Sequence, residues 1–121
     1  YGITVNAALS AAAELSKSGI EAEVIKLNRL LPLAPELVRQ SLCKTGRLVM
    51  AEEACRAGGV GALLLADAAE NGITLRGARR LDLGSGVVKH GAVDALQHRL
   101  HLDAEGIAAA AKEIAYEKNP A

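Results

Sequence analysis

The sequence has 121 residues, enough for one domain with its own hydrophobic core. Half of the residues are hydrophobic, which is typical of a globular protein. The 14 basic residues balance 14 acidic ones, so the overall charge shows no bias toward nucleic acid or an acidic membrane. Tyr1 and Tyr116 are the only aromatic residues, too few for stacking single-stranded bases. No apolar run approaches the roughly 20 residues that a membrane span needs. We therefore expect neither nucleic-acid nor membrane partners.

Two cysteines, Cys43 and Cys55, are too few for a disulfide framework or a metal site. The sequence shows no secretory signal pattern, so we expect a reduced, cytoplasmic protein. The chain begins at Tyr1 rather than at a methionine, and it enters a helical pattern almost at once. This start is typical of a fragment of a larger protein.

The first half of the chain predicts a helix, a strand and a second helix. Apolar residues at helical spacing predict a helix over residues 4–18, with Thr4 as its N-cap and Gly19 as its end. Residues 22–27 are rich in Val, Ile and Leu and predict a short strand. The second helix has Pro35 in its first turn and an apolar face that includes Leu37, and it ends at residues 45–46.

The second half continues the alternation of strands and helices. We predict a buried strand over residues 47–51, a helix over 59–70, and a strand within 74–83. A short helix follows over 91–100, and Asp103 caps a last helix that reaches about Glu117. The alternation predicts an α/β fold in which a parallel sheet lies between helical layers, as a single domain over residues 1–121.

A glycine cluster stands where the strand at 47–51 passes into a helix. Gly58, Gly59 and Gly61 follow Glu52 and Glu53, and an anion bound at the helix N-terminus is one interpretation. The cluster matches no known phosphate-loop pattern, and two carboxylates would repel a phosphate. We favour a structural role: Gly58 and Gly59 permit positive φ, and Gly61 lets the helix pack closely on the sheet.

The adjacent acids invite a general acid/base interpretation. Because neighbouring side chains of an extended strand point to opposite faces, Glu52 and Glu53 do not act as a pair on one substrate. We expect one of them to complement the helix dipole or bind loop amides, and the other to face solvent or a partner.

Three histidines are the remaining candidates. His90, followed by Gly91, stands at a loop-to-helix junction, where it could transfer a proton, contact a partner, or bond to backbone. His98 and His101 have a spacing close to that of metal ligands, but no third ligand is evident nearby, so we expect no metal site. With no nucleophile–base pair and no cofactor motif, we predict no catalytic or cofactor-binding residue here. This pattern is typical of a binding, regulatory or assembly domain.

The order of the motifs resembles the C-terminal domain of the transketolase-like, thiamine-diphosphate-dependent enzymes, and most of all the 1-deoxy-D-xylulose-5-phosphate synthase branch. The motifs that carry the resemblance are Tyr1-Gly2, Leu31-Pro32-Leu33 with Pro35-Glu36-Leu37, Glu52-Glu53 with Gly58-Gly59-Val60-Gly61, Lys89-His90-Gly91, and Leu102-Asp103-Ala104-Glu105-Gly106-Ile107. The sequence departs from the family's pattern at Val60, at residues 84–86 and at Lys89. The family's first strand falls before Tyr1, and an exposed sheet edge would follow from its absence.

The resemblance implies a three-layer α/β/α sandwich with a mostly parallel, partly mixed sheet. It implies a parent transferase that condenses pyruvate with glyceraldehyde 3-phosphate for isoprenoid precursor synthesis. Thiamine diphosphate and magnesium would lie in the upstream domains, with no cofactor or metal in this one. Its partners would be the upstream domains or subunits, in a homodimer, with Glu52, Glu53, Gly58, Gly59, Gly61, His90 and Gly91 as structural or interface candidates.

Two alternative functions stay open at this point. One is a ligand-sensing domain that binds a phosphorylated metabolite at the turn of residues 58–61. The other is a docking subunit of a split transketolase-like or 2-oxo acid dehydrogenase enzyme.

Overall fold

The computed structural model describes residues 1–116, which form five helices and a two-stranded parallel sheet. The elements in chain order are α1 (Thr4–Lys17), α2 (Glu36–Thr45), β1 (Arg47–Ala51), α3 (Val60–Glu70), β2 (Gly77–Leu81), α4 (Val93–Arg99) and α5 (Ala104–Tyr116). In the sheet, Arg47 lies opposite Gly77 and Ala51 lies opposite Leu81. Within these residues no helix is both long enough and apolar enough to cross a membrane.

Helices cover both faces of the sheet, because β1 is apolar on both sides and alternate residues point to opposite faces. On one face Val49 packs against α1 and α5, where Leu15 and Ala108 are almost fully buried. On the other face Met50 packs against Leu42 of α2 and against α3. The predicted α/β sandwich with a parallel sheet is therefore confirmed.

The turn glycines and β1 agree closely with their predictions. β1 covers the five residues that the apolar run predicts. Gly46 ends α2 in the left-handed conformation with φ 63°, and Gly19 follows α1 with φ 76°. At the start of α5, the Asp103 carboxylate accepts a hydrogen bond from the Gly106 N–H at 2.9 Å, as expected of a helix cap.

The strand predicted over residues 22–27 is wrong. The segment has no regular secondary structure, and only Ile25 and Leu27 are half-buried, against the core formed by α2 and α3. A strand exists through its ladder of hydrogen bonds to a neighbour, and here a groove separates this segment from β1. Its β-branched residues therefore meet no strand to pair with, and propensity alone does not make a strand.

Two local predictions also need correction. Thr4 is the first residue of α1 rather than its N-cap, and its hydroxyl donates instead to the carbonyls of Tyr1 at 2.9 Å and Ala51 at 3.0 Å. Leu37 is 65% exposed, so it does not belong to the buried face of α2. Glu117, the expected end of the last helix, lies outside the described residues.

Candidate functional site

The candidate site lies at the carboxyl ends of β1 and β2, where open parallel sheets bind their ligands. Two loops meet there, the loop of residues 52–59 between β1 and α3 and the loop that follows β2 at residue 82. The Leu83 N–H donates to the Ala54 carbonyl at 3.0 Å, and the Arg56 N–H donates to the Gly84 carbonyl at 2.9 Å. These bonds hold the two loops together as one surface.

Glu52 occupies the position that an anion would take at the N-terminus of α3. Its side chain is only 1% exposed, and its carboxylate accepts hydrogen bonds from the N–H groups of Val60 and Gly61, each at 2.8 Å. Both amides belong to the first turn of α3, where backbone donors lack helical partners and the helix dipole favours negative charge. The helix N-terminus is thus filled by the protein's own carboxylate.

Tyr1 completes the environment of Glu52, and this partner is one that sequence reasoning missed. The Tyr1 hydroxyl donates to Glu52 Oε2 at 3.0 Å. Burial, the hydrogen bond to Glu52 and the charge of that carboxylate raise the pKa of the Tyr1 phenol to about 12. The phenol therefore remains a neutral donor at neutral pH. No local signal joins two residues 51 positions apart, so only the fold brings them together.

The three glycines of the turn have different reasons to be glycine. Gly58 has φ +84°, the left-handed conformation that glycine adopts at no steric cost. Gly59 is extended, with φ −69°, so its predicted positive φ is wrong. A Cβ at Gly59 would lie 2.6 Å from Glu52 Oε1, and one at Gly61 would lie 2.9 Å from the same atom. Close approach of Glu52 is what excludes a side chain at both positions.

A second buried acid stabilises the neighbouring loop. The side chain of Asp82 has no exposed surface, and it forms ion pairs with Arg80 and Arg56, each at 3.3 Å. It also accepts a hydrogen bond from the Gly84 N–H at 2.9 Å. Sequence reasoning overlooked Asp82, although an Arg and an Asp two residues apart at a strand end lie on one face of the strand and give a usable signal.

The remaining candidates lie on the surface. Glu53, His90 and Gly91 are all exposed, and His90 and Gly91 belong to a segment without regular secondary structure before α4. A Cβ at Gly91 would lie 3.4 Å from Leu96, which is ordinary contact. The hydrogen-bond partners that the structure gives Glu52 are Tyr1, Val60 and Gly61, and neither His90 nor Gly91 is among them.

His98 lies close to two acidic residues, Asp103 and Glu105. Its Nδ1 lies 2.6 Å from Asp103 Oδ2, and potential ligand atoms of His98, Asp103 and Glu105 lie within 4.8 Å of one another. The hydrogen bond and the charge of Asp103 raise the pKa of His98. The expectation that no further ligand stands near His98 is thus wrong, although Asp103 is already engaged as the cap of α5. His101, two residues beyond the end of α4, has a positive φ of 58° and is not a member of this group.

The chemistry open to the site follows from its donors and acceptors. Each carboxylate oxygen of Glu52 and Asp82 already has a partner among backbone amides, a phenol and guanidinium groups. Among residues 1–116, no serine or cysteine at the site is hydrogen-bonded to a histidine, the arrangement that activates a nucleophile. The arrangement fixes the conformation of the two loops at the carboxyl ends of β1 and β2, and these loops form an ordered surface.

Comparison with known proteins agrees with this architecture. The family model of the transketolase C-terminal domain matches residues 1–107. The chain is 39% identical to 1-deoxy-D-xylulose-5-phosphate synthase 1 of Geobacter sulfurreducens over 109 residues, which are 90% of this chain and 17% of that protein. It is 41% identical over 73 residues to the pyruvate dehydrogenase E1 component subunit beta of Staphylococcus aureus, which are 60% of this chain and 22% of that one.

A solved structure shares the fold over almost the whole chain. It is described as a split gene transketolase, inactive beta4 tetramer, and it superposes with a TM-score of 0.85 at 28% identity, covering 97% of this chain and 38% of that one. The matched regions cover 17% of the Geobacter synthase and 22% of the Staphylococcus subunit, so this chain spans about a fifth of the length of these two relatives. With the family model matched over most of its length, the chain belongs to the transketolase C-terminal domain family.

Proposed function

We propose that this chain is the C-terminal assembly domain of a thiamine-diphosphate-dependent transferase of the 1-deoxy-D-xylulose-5-phosphate synthase type. The parent enzyme would condense pyruvate with glyceraldehyde 3-phosphate, release carbon dioxide and supply isoprenoid precursor synthesis. The similarity to the Geobacter synthase over 90% of the chain supports this branch. Alone, the domain would have no activity.

The observation that carries the assembly role is the occupied N-terminus of α3. In α/β proteins this position binds phosphates through free backbone amides. Here the Glu52 carboxylate already accepts from Val60 and Gly61 at 2.8 Å and neutralises the helix dipole. A ligand is expected at the carboxyl ends of the strands. Here that position is occupied by Glu52, which fixes the conformation of the loop after β1.

Thiamine diphosphate and magnesium belong to the parent enzyme in this proposal, and this turn does not fit them. A diphosphate would compete with the Glu52 carboxylate for the same two amides and would meet like charge from it. We therefore place cofactor binding in the upstream domains and assign none to this domain. For the same reason we set aside the alternative of a ligand-sensing domain that binds a phosphorylated metabolite at this turn.

The candidate residues divide into two groups under this proposal. Glu52, with Gly58, Gly59 and Gly61, sets the shape of the loop after β1. Glu53, His90 and Gly91 are exposed and would face the upstream domains or the second protomer of a cytoplasmic homodimer. Two apolar residues support this contact surface. Val87 and Val93 lie on either side of His90 in the sequence and are 97% and 57% exposed, and exposed apolar residues that cluster mark interaction sites.

A docking subunit of a split enzyme is the second candidate function. Two of the similar proteins point to it, since one is described as a split gene transketolase and the other as an E1 subunit beta. The same exposed surface would then bind a separate chain rather than a covalently joined domain.

Titration of the purified 121-residue chain with thiamine diphosphate and magnesium, followed by calorimetry, tests the proposal. We expect no binding heat at micromolar concentrations, and we expect the same after Glu52→Gln, which removes the competing charge. Saturable micromolar binding by the unaltered chain would contradict an assembly role. Binding only by the Glu52→Gln variant would show that this carboxylate, and not the absence of a site, excludes the cofactor.

A companion experiment separates the fused and split alternatives. The natural protein that contains this sequence is purified under native conditions, and its mass is compared with that of the 121-residue chain. One polypeptide with thiamine diphosphate activity supports the fused enzyme. Co-purification of a separate thiamine-diphosphate-binding chain supports the docking subunit.

A further inference from the structure

A pocket of about 310 Å³ lies between the loop that follows β2 and the end of α4. Residues 83 and 86–89 line it on the loop side, and residues 99 and 100 line it on the helix side. None of its lining residues belongs to β1, to α3 or to the loop between them, so it is separate from the turn that Glu52 occupies. Its volume is at the lower end of the range for small-molecule sites.

The charged residues of this pocket are both cations. Lys89 and Arg99 line it, and among the described residues no Asp or Glu does. Both residues are exposed, and within residues 1–116 neither side chain forms a hydrogen bond or an ion pair. By contrast, Arg39, Lys44 and Lys112 are each paired with a carboxylate. The two positive charges of the pocket are therefore not neutralised within the described part of the chain.

The backbone of the loop also has free donors. Within the described residues, the N–H groups of residues 86–89 donate no hydrogen bond. The preceding N–H groups differ, because Leu83 donates to the Ala54 carbonyl and Gly84 donates to the Asp82 carboxylate. Loop amides of this kind supply hydrogen bonds to the oxygens of a bound anion.

The uncharged part of the lining selects among anions. The half-buried side chains of Leu83, Val88 and Leu100 give the pocket an apolar wall, which an organic group would cover and a bare inorganic ion would leave in contact with water. Two cations match the charge of a phosphate ester near pH 7, about −1.5 to −2, better than the single charge of a carboxylate. A guanidinium group binds phosphate oxygens in a bidentate manner, and an ammonium group adds a point charge.

We propose that this pocket binds a small organic phosphomonoester, with Lys89 and Arg99 holding the phosphate and the apolar wall contacting the organic group. Gly86 and Lys89 are positions at which the sequence departs from the pattern of the family that it resembles, so the site is a feature of this chain and not of every family member. The site is independent of the reaction proposed for the parent enzyme.

Titration of the 121-residue chain with phenyl phosphate, followed by NMR of the backbone amides, tests the site. We expect saturable binding with a Kd of about 1 mM or lower, and shifts of the Val88, Lys89 and Leu100 signals. The signals of Val60 and Gly61 should stay in place. Shifts centred on Val60 and Gly61 would overturn the proposal, because they would place the anion at α3, and so would the absence of saturable binding.

Charge-removing variants test the two cations. We expect Lys89→Gln and Arg99→Gln each to weaken phenyl phosphate binding by about fivefold to tenfold. Lys17→Gln is the matched control, because Lys17 is exposed, lies at the end of α1 and does not line the pocket. This control removes the same charge and should change the Kd by less than about twofold. Equal weakening by the three substitutions would overturn the site in favour of unspecific attraction to net charge.

Three related compounds test the chemical class. Inorganic phosphate keeps the charge without the ring, benzoate keeps the ring with one charge, and benzyl alcohol keeps the ring without charge. We expect both anions to bind at least about threefold more weakly than phenyl phosphate, and benzyl alcohol to show no saturable binding. Equally tight binding of inorganic phosphate would contradict the apolar wall, and equally tight binding of benzoate or benzyl alcohol would overturn the assignment to a phosphomonoester.

Discussion

At the scale of single residues, Glu52 stabilises the turn between β1 and α3 by accepting hydrogen bonds from the N–H groups of Val60 and Gly61. Glu52 and Glu53 are adjacent at the end of a strand that precedes a helix. This pattern predicts that one of the two acids complements the helix dipole or binds loop amides and that the other faces solvent or a partner. Sequence alone does not say which acid is buried, because that depends on which face of the sheet α3 packs against. The structure places Glu52 at 1% exposure and leaves Glu53 at the surface.

Replacement of Glu52 by Gln tests this arrangement. The side-chain amide keeps one acceptor oxygen but turns its NH₂ group toward a backbone N–H, so one buried donor loses its partner. We expect a loss of about 2 kcal/mol in the free energy of unfolding, measured by urea denaturation followed by circular dichroism.

Glu53→Gln is the matched control, since the two acids are adjacent and only Glu53 is exposed. We expect this variant to stay within about 0.5 kcal/mol of the unaltered chain. A similar loss from both substitutions would mean that net charge, and not the hydrogen bonds at α3, accounts for the effect.

At the scale of elements, secondary-structure prediction succeeds where the backbone preferences of a few adjacent residues determine the conformation. It fails where an element needs hydrogen bonds from a strand that is distant in sequence. The ends of α2 and α3 follow from Gly46 and the pair Asn71–Gly72, whose backbone preferences act over a few residues. Residues 22–27 have strand propensity but no strand within reach, and only the three-dimensional arrangement shows this.

The contact between α1 and α5 is the main packing of one helical layer, and Leu15 is its largest buried member on α1. Leu15→Ala removes a 2% exposed side chain and leaves a cavity, so we expect a loss of about 2–5 kcal/mol in urea unfolding. Leu9→Ala on the same helix is the control, because Leu9 is 53% exposed. Equal losses would contradict burial as the cause, since Ala has a higher helix propensity than Leu and propensity alone predicts no loss at either position.

The junction between α4 and α5 should depend on pH through His98 and Asp103. The Asp103 hydrogen bond raises the pKa of His98 above its ordinary 6.5, so the stabilisation by this pair is complete below pH 6.5 and is lost as pH rises through the folded value. The Gly106 N–H, with a smaller effect of His98, lowers the pKa of Asp103 below its ordinary 3.8, so its contribution is lost as pH falls through the folded value. The junction should be most stable between about pH 4 and 6.5.

An NMR titration of the His98 ring measures this coupling directly. We expect Asp103→Asn, which retains a capping side chain for α5, to lower the His98 midpoint toward 6.5. Glu105→Gln is the control, because its charge is a smaller cause of the shift than Asp103. An unchanged midpoint in Asp103→Asn would contradict the ion pair.

At the scale of the whole molecule, the described residues form a scaffold whose polar groups stabilise its own loops. The buried acids Glu52 and Asp82 are satisfied by internal partners, whereas Val87 and Val93, near the start of α4, are exposed. The chain spans only 17% of the Geobacter synthase that it resembles. We therefore expect the chemistry of the parent enzyme to depend on polypeptide outside this chain.

The most direct measurement is release of carbon dioxide from labelled pyruvate, in the presence of glyceraldehyde 3-phosphate, thiamine diphosphate and magnesium. It compares the purified 121-residue chain with the natural full-length protein that contains it, at equal molar concentration. We predict turnover by the full-length protein and none above the enzyme-free rate by the 121-residue chain. Carbon dioxide released by the isolated chain would contradict the account of an assembly domain.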